Sequence, residues 1–228
     1  MGTEPGLRES KKQETRQLIS DCATKLFIEQ GFERTTIAEI AVAARVAKKT
    51  VTNYFPRKED LALDHHEAFT QGLALAVTDR RPDETPLAAL SRARRTALLE
   101  HSPVIGFTGL TFARMVADSP TLTARLRELH DQREEALATA LAIDTPASAD
   151  AIAPQAAAAL IAGADRLLFR RIQELTLAGH TNDEITATLL PEADHTTALL
   201  TAALADHPTA TTASQAASGS VAGGAAEG

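Results

Sequence analysis

The segment 34–61 constrains the fold more than any other part of the chain, because it predicts two short helices joined by a tight turn. Thr36 begins the first helix, since its hydroxyl can accept from free backbone N–H groups and Glu39 completes a capping box. Residues 44–46 form the turn, and a second helix is expected over 47–55. The residues expected to face inward are apolar: Ile37, Ile40, Ala41, Ala44, Val46, Val51 and Phe55.

The second of these helices has an open side that lacks acidic residues. It carries two cations, two hydroxyls, an amide and a phenol: Lys48, Lys49, Thr50, Thr52, Asn53 and Tyr54. Such a face suits a helix in the major groove of DNA, where side chains reach base edges and phosphates. The alternative is an ordinary solvated face, as most charged helix faces are.

The same segment resembles a known protein family. The runs T-T-I-A-E-I-A, V-x-K-x-T-V-x-N-Y-F and P-x-K-E-D-L are similar to the DNA-binding domain of the TetR (tetracycline repressor) family, over about residues 10–62. The resemblance implies phosphate contacts by Thr36, Thr50, Tyr54 and Lys58. It implies base contacts by Lys48, Lys49, Thr52 and Asn53. Ala47, Lys49 and Thr52 depart from the residues common in the family, so no relative's operator sequence can be carried over.

Charge is distributed unevenly along the chain. The formal net charge of −7, taken whole, argues against a nucleic-acid binder. Residues 1–60, however, hold 11 Lys+Arg and 9 Asp+Glu, whereas residues 61–228 hold 12 and 21. All six lysines lie in the first segment. A near-neutral head and an acidic body would present only one end to phosphate.

Helical periodicity runs through nearly the whole chain and strand signals are absent, which predicts an all-α fold of about nine helices. Beyond the two helices above, the expected helices are 10–30, 58–79, 85–101, 104–117, 120–141, 151–178 and 182–204, the last interrupted at Pro191. With the resemblance, the predicted domains are a flexible arm (1–8), a three-helix helix-turn-helix DNA-binding domain (9–57), a helical effector-binding and dimerisation domain (58–206) and a disordered tail (207–228).

The last two predicted helices favour a homodimer. In relatives they meet those of a partner as a four-helix bundle, and small residues let another helix approach closely. The candidate interface residues are Ala156, Ala159, Leu160, Gly163, Leu167, Ile185, Leu189 and Leu199. The alternative is that these faces close the core of a single chain. A twofold dimer would favour a roughly palindromic, double-stranded DNA operator.

The resemblance also implies an effector pocket in the helical body. Its apolar candidates are Phe69, Leu98, Phe107, Leu110, Phe112, Met115 and Phe169. Its polar candidates are His101, Arg114, Arg166 and Arg170. Plain core packing and surface ion pairs are the alternatives. The effector is expected to be small and largely aliphatic, such as an acyl-CoA or other acyl thioester, with an Arg at its anionic end.

Catalysis is not expected. The seven histidines are scattered, and no HExxH, CxxC, GxSxG or glycine-rich phosphate loop occurs. No metal or cofactor is therefore predicted. No apolar run approaches the roughly 18 residues of a membrane span, so a soluble cytoplasmic protein is expected. A helical module that binds protein instead of DNA remains a second alternative, and the salt dependence of DNA binding distinguishes the two.

Overall fold

The computed structural model describes residues 6–143 and 152–205, and all of its regular structure there is helical. Ten α-helices and one short 3₁₀ helix occur in these ranges. They are α1 (Leu7–Gln30), α2 (Ile37–Ala43), α3 (Lys48–Tyr54), α4 (Lys58–Ala62), α5 (His66–Thr78), α6 (Pro86–Leu99), the 3₁₀ helix (Pro103–Ile105), α7 (Leu110–Asp118), α8 (Pro120–Ile143), α9 (Ile152–Leu177) and α10 (Asn182–Ala203). The all-α prediction, with an N-terminal helix-turn-helix and a helical body, is confirmed.

The chain divides into two compact units. The first comprises residues 1–66 and 109–127, and the second comprises 67–108 and 128–228. Residues 58–66 and 109–127 thus pack with the head, although the predicted boundary at 57/58 assigned them to the body. α1 already begins at Leu7, inside the predicted arm. Most of that arm, residues 144–151 and the predicted tail lie outside the described residues.

The first unit has one apolar core, built from α1 to α4 and α7 and the start of α8. Its fully buried side chains include Ile19, Phe27, Ile40, Val51, Phe55, Leu61 and Leu122. The Phe27 and Phe32 rings pack in a tilted arrangement with their centroids 5.0 Å apart, so the α1–α2 connection is anchored on this core. The second unit has two such clusters, one centred on Leu137, Ala158 and Ile161 and one on Leu98, Ile172 and Leu189.

The predicted helix 58–79 is two helices, which corrects the sequence-based expectation. α4 ends at Ala62 and α5 begins at His66. The break is stabilised by α1, because the Ser20 hydroxyl donates to Asp64 Oδ2 at 2.6 Å. The Arg16 guanidinium of α1 also donates to the Asp64 carbonyl, at 3.5 Å. The periodicity of 58–79 is helical on both sides of the break, so the sequence pattern did not indicate it.

Two other boundaries differ from prediction. α7 begins at Leu110, six residues after the predicted start at 104, because Gly106 takes a left-handed conformation (φ 113°) and ends the 3₁₀ turn. α10 instead runs through Pro191 without a break. Proline removes one N–H, whose acceptor would be the carbonyl of Ala187. Ala187 is exposed, so water can satisfy that carbonyl, while Leu189 and Ala193 hold the helix against the core.

α9 is the one helix within the described ranges that is long and apolar enough to pass for a membrane span, with a mean hydropathy of 1.2 over 18 residues. The core helix of a water-soluble protein passes the same test. Ala157, Ala158 and Ile161 of α9 belong to one apolar cluster of the second unit, and Leu168 and Ile172 belong to the other. These contacts account for the apolar residues on the buried face of α9.

Candidate nucleic-acid interface

The capping box predicted at the start of α2 is present. The Glu39 N–H donates to Thr36 Oγ1 at 3.3 Å, and the Thr36 N–H donates to Glu39 Oε2 at 2.8 Å. The Thr36 hydroxyl also donates to the same carboxylate oxygen at 2.8 Å. These bonds to the carboxylate, first from the hydroxyl and then from the backbone, lower the pKa of Glu39. Thr36 caps α2, and because it is exposed it also remains accessible from solvent.

The turn between α2 and α3 contains a residue in an unusual conformation. Arg45 has φ 55°, in the left-handed region that glycine prefers. The Val46 N–H donates to the Ala41 carbonyl at 2.9 Å, and the Arg45 N–H donates to the Val42 carbonyl at 3.1 Å. This pair of bonds is a Schellman motif, which ends α2 and turns the chain into α3. The turn at 44–46 was predicted from the sequence, but the left-handed conformation of Arg45 was not.

α3 presents the surface that the sequence predicted. Val51 is fully buried, and Phe55, which follows the helix, is buried as well. Four of the predicted DNA-contacting side chains are exposed: Lys48, Lys49, Thr52 and Asn53. Thr50 and Tyr54 are half-buried, and the Tyr54 ring packs against the head core. Ala47 precedes the helix and gives it no side-chain cap, because alanine has no side-chain hydrogen-bond acceptor.

Lys58 has a different role from the predicted phosphate contact. Its Nζ donates to the carbonyls of Phe32, Glu33 and Thr35, at 2.9, 3.4 and 3.2 Å. The same ammonium lies 4.3 Å from the centroid of the Phe32 ring. An ammonium has three N–H donors, and these three acceptors can use all of them. In this structure Lys58 therefore holds the α1–α2 connection together.

The predicted dimer residues fall into two groups. Ala156, Ala159, Leu160, Gly163 and Leu167 form an exposed stripe along α9, and Leu199 is exposed on α10. Leu160, Leu167 and Leu199 are 49%, 52% and 58% exposed. Ile185 and Leu189 are instead fully buried in the second unit. Those two predictions are corrected, because their helix face packs within the chain.

The predicted pocket residues do not form one site. Leu110, Phe112, Arg114 and Met115 belong to the first unit, where Met115 packs against the head core and Arg114 is exposed. Arg170 is also exposed. Leu98 and Phe107 belong to an apolar cluster of the second unit. His101 follows the C-terminal end of α6 with φ 50°, and its Nε2 lies 3.4 Å from Asp183 Oδ1. Its side chain is therefore engaged at the end of this helix.

The remaining predicted pocket residues of the second unit surround His130. Its ring centroid lies 4.9 Å from that of Phe69 and 5.3 Å from that of Phe169. Burial, followed by the charges of Arg166 and Arg133, lowers the pKa of His130 to about 4. Arg166 itself faces Asp131 and Glu134 at 3.5 and 3.6 Å. His130 is therefore neutral at neutral pH.

A buried charge cluster lies in the second unit and was not predicted. Asp165 of α9 lies between two arginines: its Oδ2 is 2.8 Å from Arg133 Nη2, and its Oδ1 is 3.5 Å from Arg94 Nε. Burial raises the pKa of Asp165, but the charges of Arg133 and Arg94 outweigh burial, and the net pKa is lowered. The sequence did contain a signal, because each of these residues occupies a position on the apolar stripe of its helix.

Comparison with known proteins agrees with this architecture. Residues 19–64 match the family model for bacterial regulatory proteins of the tetR family. The HTH-type transcriptional regulator TcmR of Streptomyces glaucescens is 34% identical over 143 residues. That match covers 60% of this chain and 63% of TcmR, so the chain spans less than two thirds of that relative's length.

Solved structures support the fold. A protein described as a TetR-family transcriptional regulator from Syntrophomonas wolfei aligns with a TM-score of 0.51 and 18% identity, over 82% of this chain and 96% of its own. A protein of the same description from Mesorhizobium loti gives 0.51 and 19%, over 84% and 96%. Together, these comparisons show that residues 19–64 match the tetR family model and that the described helices share the fold of these TetR-family structures.

Proposed function

We propose that this protein is a dimeric, cytoplasmic DNA-binding repressor of transcription that binds a palindromic operator and is released by a small, largely apolar effector. The observation that carries the proposal is the exposed face of α3. Lys48, Lys49, Thr52 and Asn53 point outward on a helix whose other side, at Val51, is buried. Cations and amides on a helix held in this way suit phosphates and base edges.

The roles within this face differ with side-chain chemistry. Lys49 and Asn53 are exposed and are assigned to base edges together with Lys48 and Thr52. An amide can pair with adenine and an ammonium with guanine, so these residues select sequence. Thr50 and Tyr54 are half-buried at the margin of the face and are assigned to phosphates. With Lys58 bonded internally, direct phosphate contacts are assigned to Thr36, Thr50 and Tyr54, and the exposed cations Lys48 and Lys49 supply the charge that attracts the phosphates.

The exposed stripe of α9 supports the dimer. Six of its positions, from Ile152 to Leu167, carry apolar or small side chains: Ile152, Ala156, Ala159, Leu160, Gly163 and Leu167. Contiguous apolar patches of this kind on a folded chain mark interaction surfaces. A second copy presenting the same stripe would give a twofold pair, and two α3 helices would then contact two half-sites.

Selection of bound fragments from genomic DNA, followed by footprinting, tests the proposal. A palindromic footprint spanning two half-sites is expected, with affinity that falls steeply as salt rises, because lysines release counterions from DNA. Affinity that is insensitive to salt and to DNA sequence would reject a sequence-specific regulator and favour a protein-binding module. The effector requirement is separate: it must bind the DNA-competent and DNA-incompetent states with different affinities.

A further inference from the structure

Arg45 is held in a backbone conformation that its own side chain does not explain. Its φ of 55° lies in the left-handed region, which glycine adopts without the steric cost that arginine bears. The one other non-glycine residue with positive φ in the described ranges is His101. His101 has internal contacts, because its ring packs 5.2 Å from that of Phe107 and faces Asp183. Within the same ranges the Arg45 side chain is exposed and makes no hydrogen bond, ion pair or ring contact.

The turn itself does not require arginine. The two bonds that close it join backbone atoms only, from the Arg45 N–H to the Val42 carbonyl and from the Val46 N–H to the Ala41 carbonyl. Glycine would make the same bonds with less strain. A strained residue whose side chain has no internal partner is a candidate for an external contact. A guanidinium carries a permanent charge and five N–H donors, so its partner is expected to be an anion with oxygen acceptors.

Arg45 belongs to a positively charged stretch that includes the candidate DNA-binding face. Residues 40–58 contain five Lys+Arg and no Asp or Glu. Arg45 precedes Lys48, the first residue of α3, by three positions, so their Cα atoms are at most about 11 Å apart. Lys48 and Lys49 are exposed as well. The sequence on either side of Arg45 therefore provides no carboxylate that would compete for its guanidinium.

The length of α3 places the turn near the border of a DNA groove. α3 has seven residues and is about 10 Å long, and the major groove is about 12 Å wide. When α3 lies in the groove, the preceding turn is therefore within about one groove width of the bases. Phosphates border the groove on both sides and follow one another about every 3.4 Å along each strand. An extended arginine side chain at the turn can reach one of them.

We propose that Arg45 binds a phosphate of the DNA backbone at the border of the groove that α3 occupies. This inference rests on the proposed function, and it adds a cationic contact to the phosphate contacts assigned to Thr36, Thr50 and Tyr54. Arginine pairs with phosphate through charge-assisted, often bidentate hydrogen bonds. The strain at Arg45 is thus retained for a contact that forms only in the complex. A contact with a base edge is the competing arrangement, because arginine also binds guanine.

Duplexes of simple sequence test the phosphate contact directly. Wild type and Arg45→Gln are titrated with poly(dA-dT) and poly(dG-dC) duplexes by fluorescence anisotropy at several salt concentrations. Arg45→Gln is expected to bind both duplexes about threefold to tenfold more weakly. The slope of log affinity against log salt concentration should become shallower by about 1 for each protomer, because one phosphate contact is lost.

Arg127→Gln is the matched control for the change in net charge. Arg127 is an exposed arginine at the start of α8, in the same unit as Arg45. Its substitution removes the same charge from that unit at a position outside the turn and α3, so Arg127→Gln should bind both duplexes as the wild type does. Equal weakening in the two variants, or wild-type affinity in Arg45→Gln, would overturn the proposal.

Two further variants separate charge from backbone strain. Arg45→Lys keeps the positive charge and should retain most of the affinity for both duplexes. Arg45→Gly relieves the strain, so it should melt at a higher temperature than Arg45→Gln and yet bind DNA as weakly. Affinity that follows melting temperature across the three variants, irrespective of charge, would show that Arg45 acts on DNA binding only through the fold and would contradict the contact.

Selection from a pool of randomised duplexes distinguishes this inference from the proposed function. A wild type that enriches no sequence would reject the sequence-specific regulator, and the Arg45 contact with it. A wild type that enriches a palindrome, with Arg45→Gln binding that palindrome equally well, would reject the Arg45 contact alone. A changed base preference in Arg45→Gln would replace the phosphate contact by a base contact. The expected result is an unchanged preference with weaker binding to every sequence.

Discussion

Arg125 of α8 forms a buried ion pair with Asp60 of α4: its Nη2 and Nε lie 2.9 and 3.0 Å from Asp60 Oδ1. The two side chains are 10% and 7% exposed. Both residues belong to the first unit, so the start of α8 packs with the helix-turn-helix head. The same helix contributes Arg133 to the charge cluster of the second unit.

Removing one partner of this pair should destabilise the head. Arg125→Met leaves the Asp60 carboxylate buried without its counter-charge, which costs about 3–5 kcal/mol in the free energy of unfolding. Arg92→Met is the control, because Arg92 is half-exposed in its pair with Glu84 and its loss should cost clearly less than the loss of Arg125. Urea unfolding followed by circular dichroism measures both. Equal losses of unfolding free energy in the two variants would show that the buried Asp60–Arg125 pair stabilises the protein no more than the Glu84–Arg92 pair does.

Arg45→Gly should stabilise the turn between α2 and α3. Glycine adopts the left-handed conformation without the steric cost that Arg45 bears at φ 55°. The expected gain is up to about 1 kcal/mol, reduced by the greater freedom of glycine in the unfolded chain. Arg45→Ala is the comparison, since it removes the same charge and keeps the strain. A glycine variant no more stable than the alanine variant would contradict the strain at this position.

Substitutions at Lys49, Asn53 and Lys58 should have different consequences. Lys49→Ala and Asn53→Ala are expected to change which DNA sequences are preferred, by about 1–3 kcal/mol at the affected base pair. Lys58→Met removes three carbonyl partners and should lower stability by about 1.5–3 kcal/mol, without changing sequence preference. Selection from randomised DNA and thermal melting distinguish these effects. Uniform weakening on all sequences by Lys49→Ala and Asn53→Ala would refute the base assignments.

Gly163 provides a sharp test of the dimer. A Cβ at this position meets no atom within 4 Å in the single chain, so substitution there leaves the fold intact. Gly163→Ala should stabilise α9 by up to about 1 kcal/mol through helix propensity. Gly163→Arg should shift the protein toward monomer, because a long charged side chain would separate the two α9 stripes. Sedimentation velocity measures the oligomeric state, and an undisturbed dimer in Gly163→Arg would place the interface elsewhere.

Stability should decrease as the pH falls below about 6.5, in part because of His130. Its pKa is lowered from 6.5 in the unfolded chain to about 4 in the folded protein. The unfolded state therefore binds the proton more readily between these values, and acidification favours unfolding by up to about 3 kcal/mol by pH 4. His130→Phe keeps a ring against Phe69 and Phe169 but cannot titrate. The unfolding free energies of the wild type and of His130→Phe are measured at pH 7.5 and at pH 5, and the difference between the two proteins should change with pH. A difference that stays constant would show that His130 does not cause the loss of stability at low pH.

Features that depend on neighbouring residues in the sequence were predictable. The Thr36–Glu39 capping box spans three residues, and it forms as the pattern indicates. The burial of Val51 and Phe55, with Lys48 and Lys49 outside, follows from helical spacing. In each case a few adjacent residues contain the whole physical cause.

Features that depend on distant partners were not predictable. The break before α5 is stabilised by Ser20, 44 residues from Asp64. Lys58 takes acceptors 23 to 26 residues away, which turned an expected DNA contact into an internal one. Ile185 and Leu189 looked like interface residues because their apolar character alone does not identify the surface that covers them.

The sequence by itself determined an all-α chain with a helix-turn-helix head, because periodicity, capping and turn chemistry act over a few residues. Only the tertiary structure decided that Arg94, Arg133 and Asp165 meet in the interior, since they come from α6, α8 and α9. A charged residue on an apolar stripe signals burial, but its partner depends on which helices pack together. That choice is made by the core as a whole, where close packing fixes which faces are in contact.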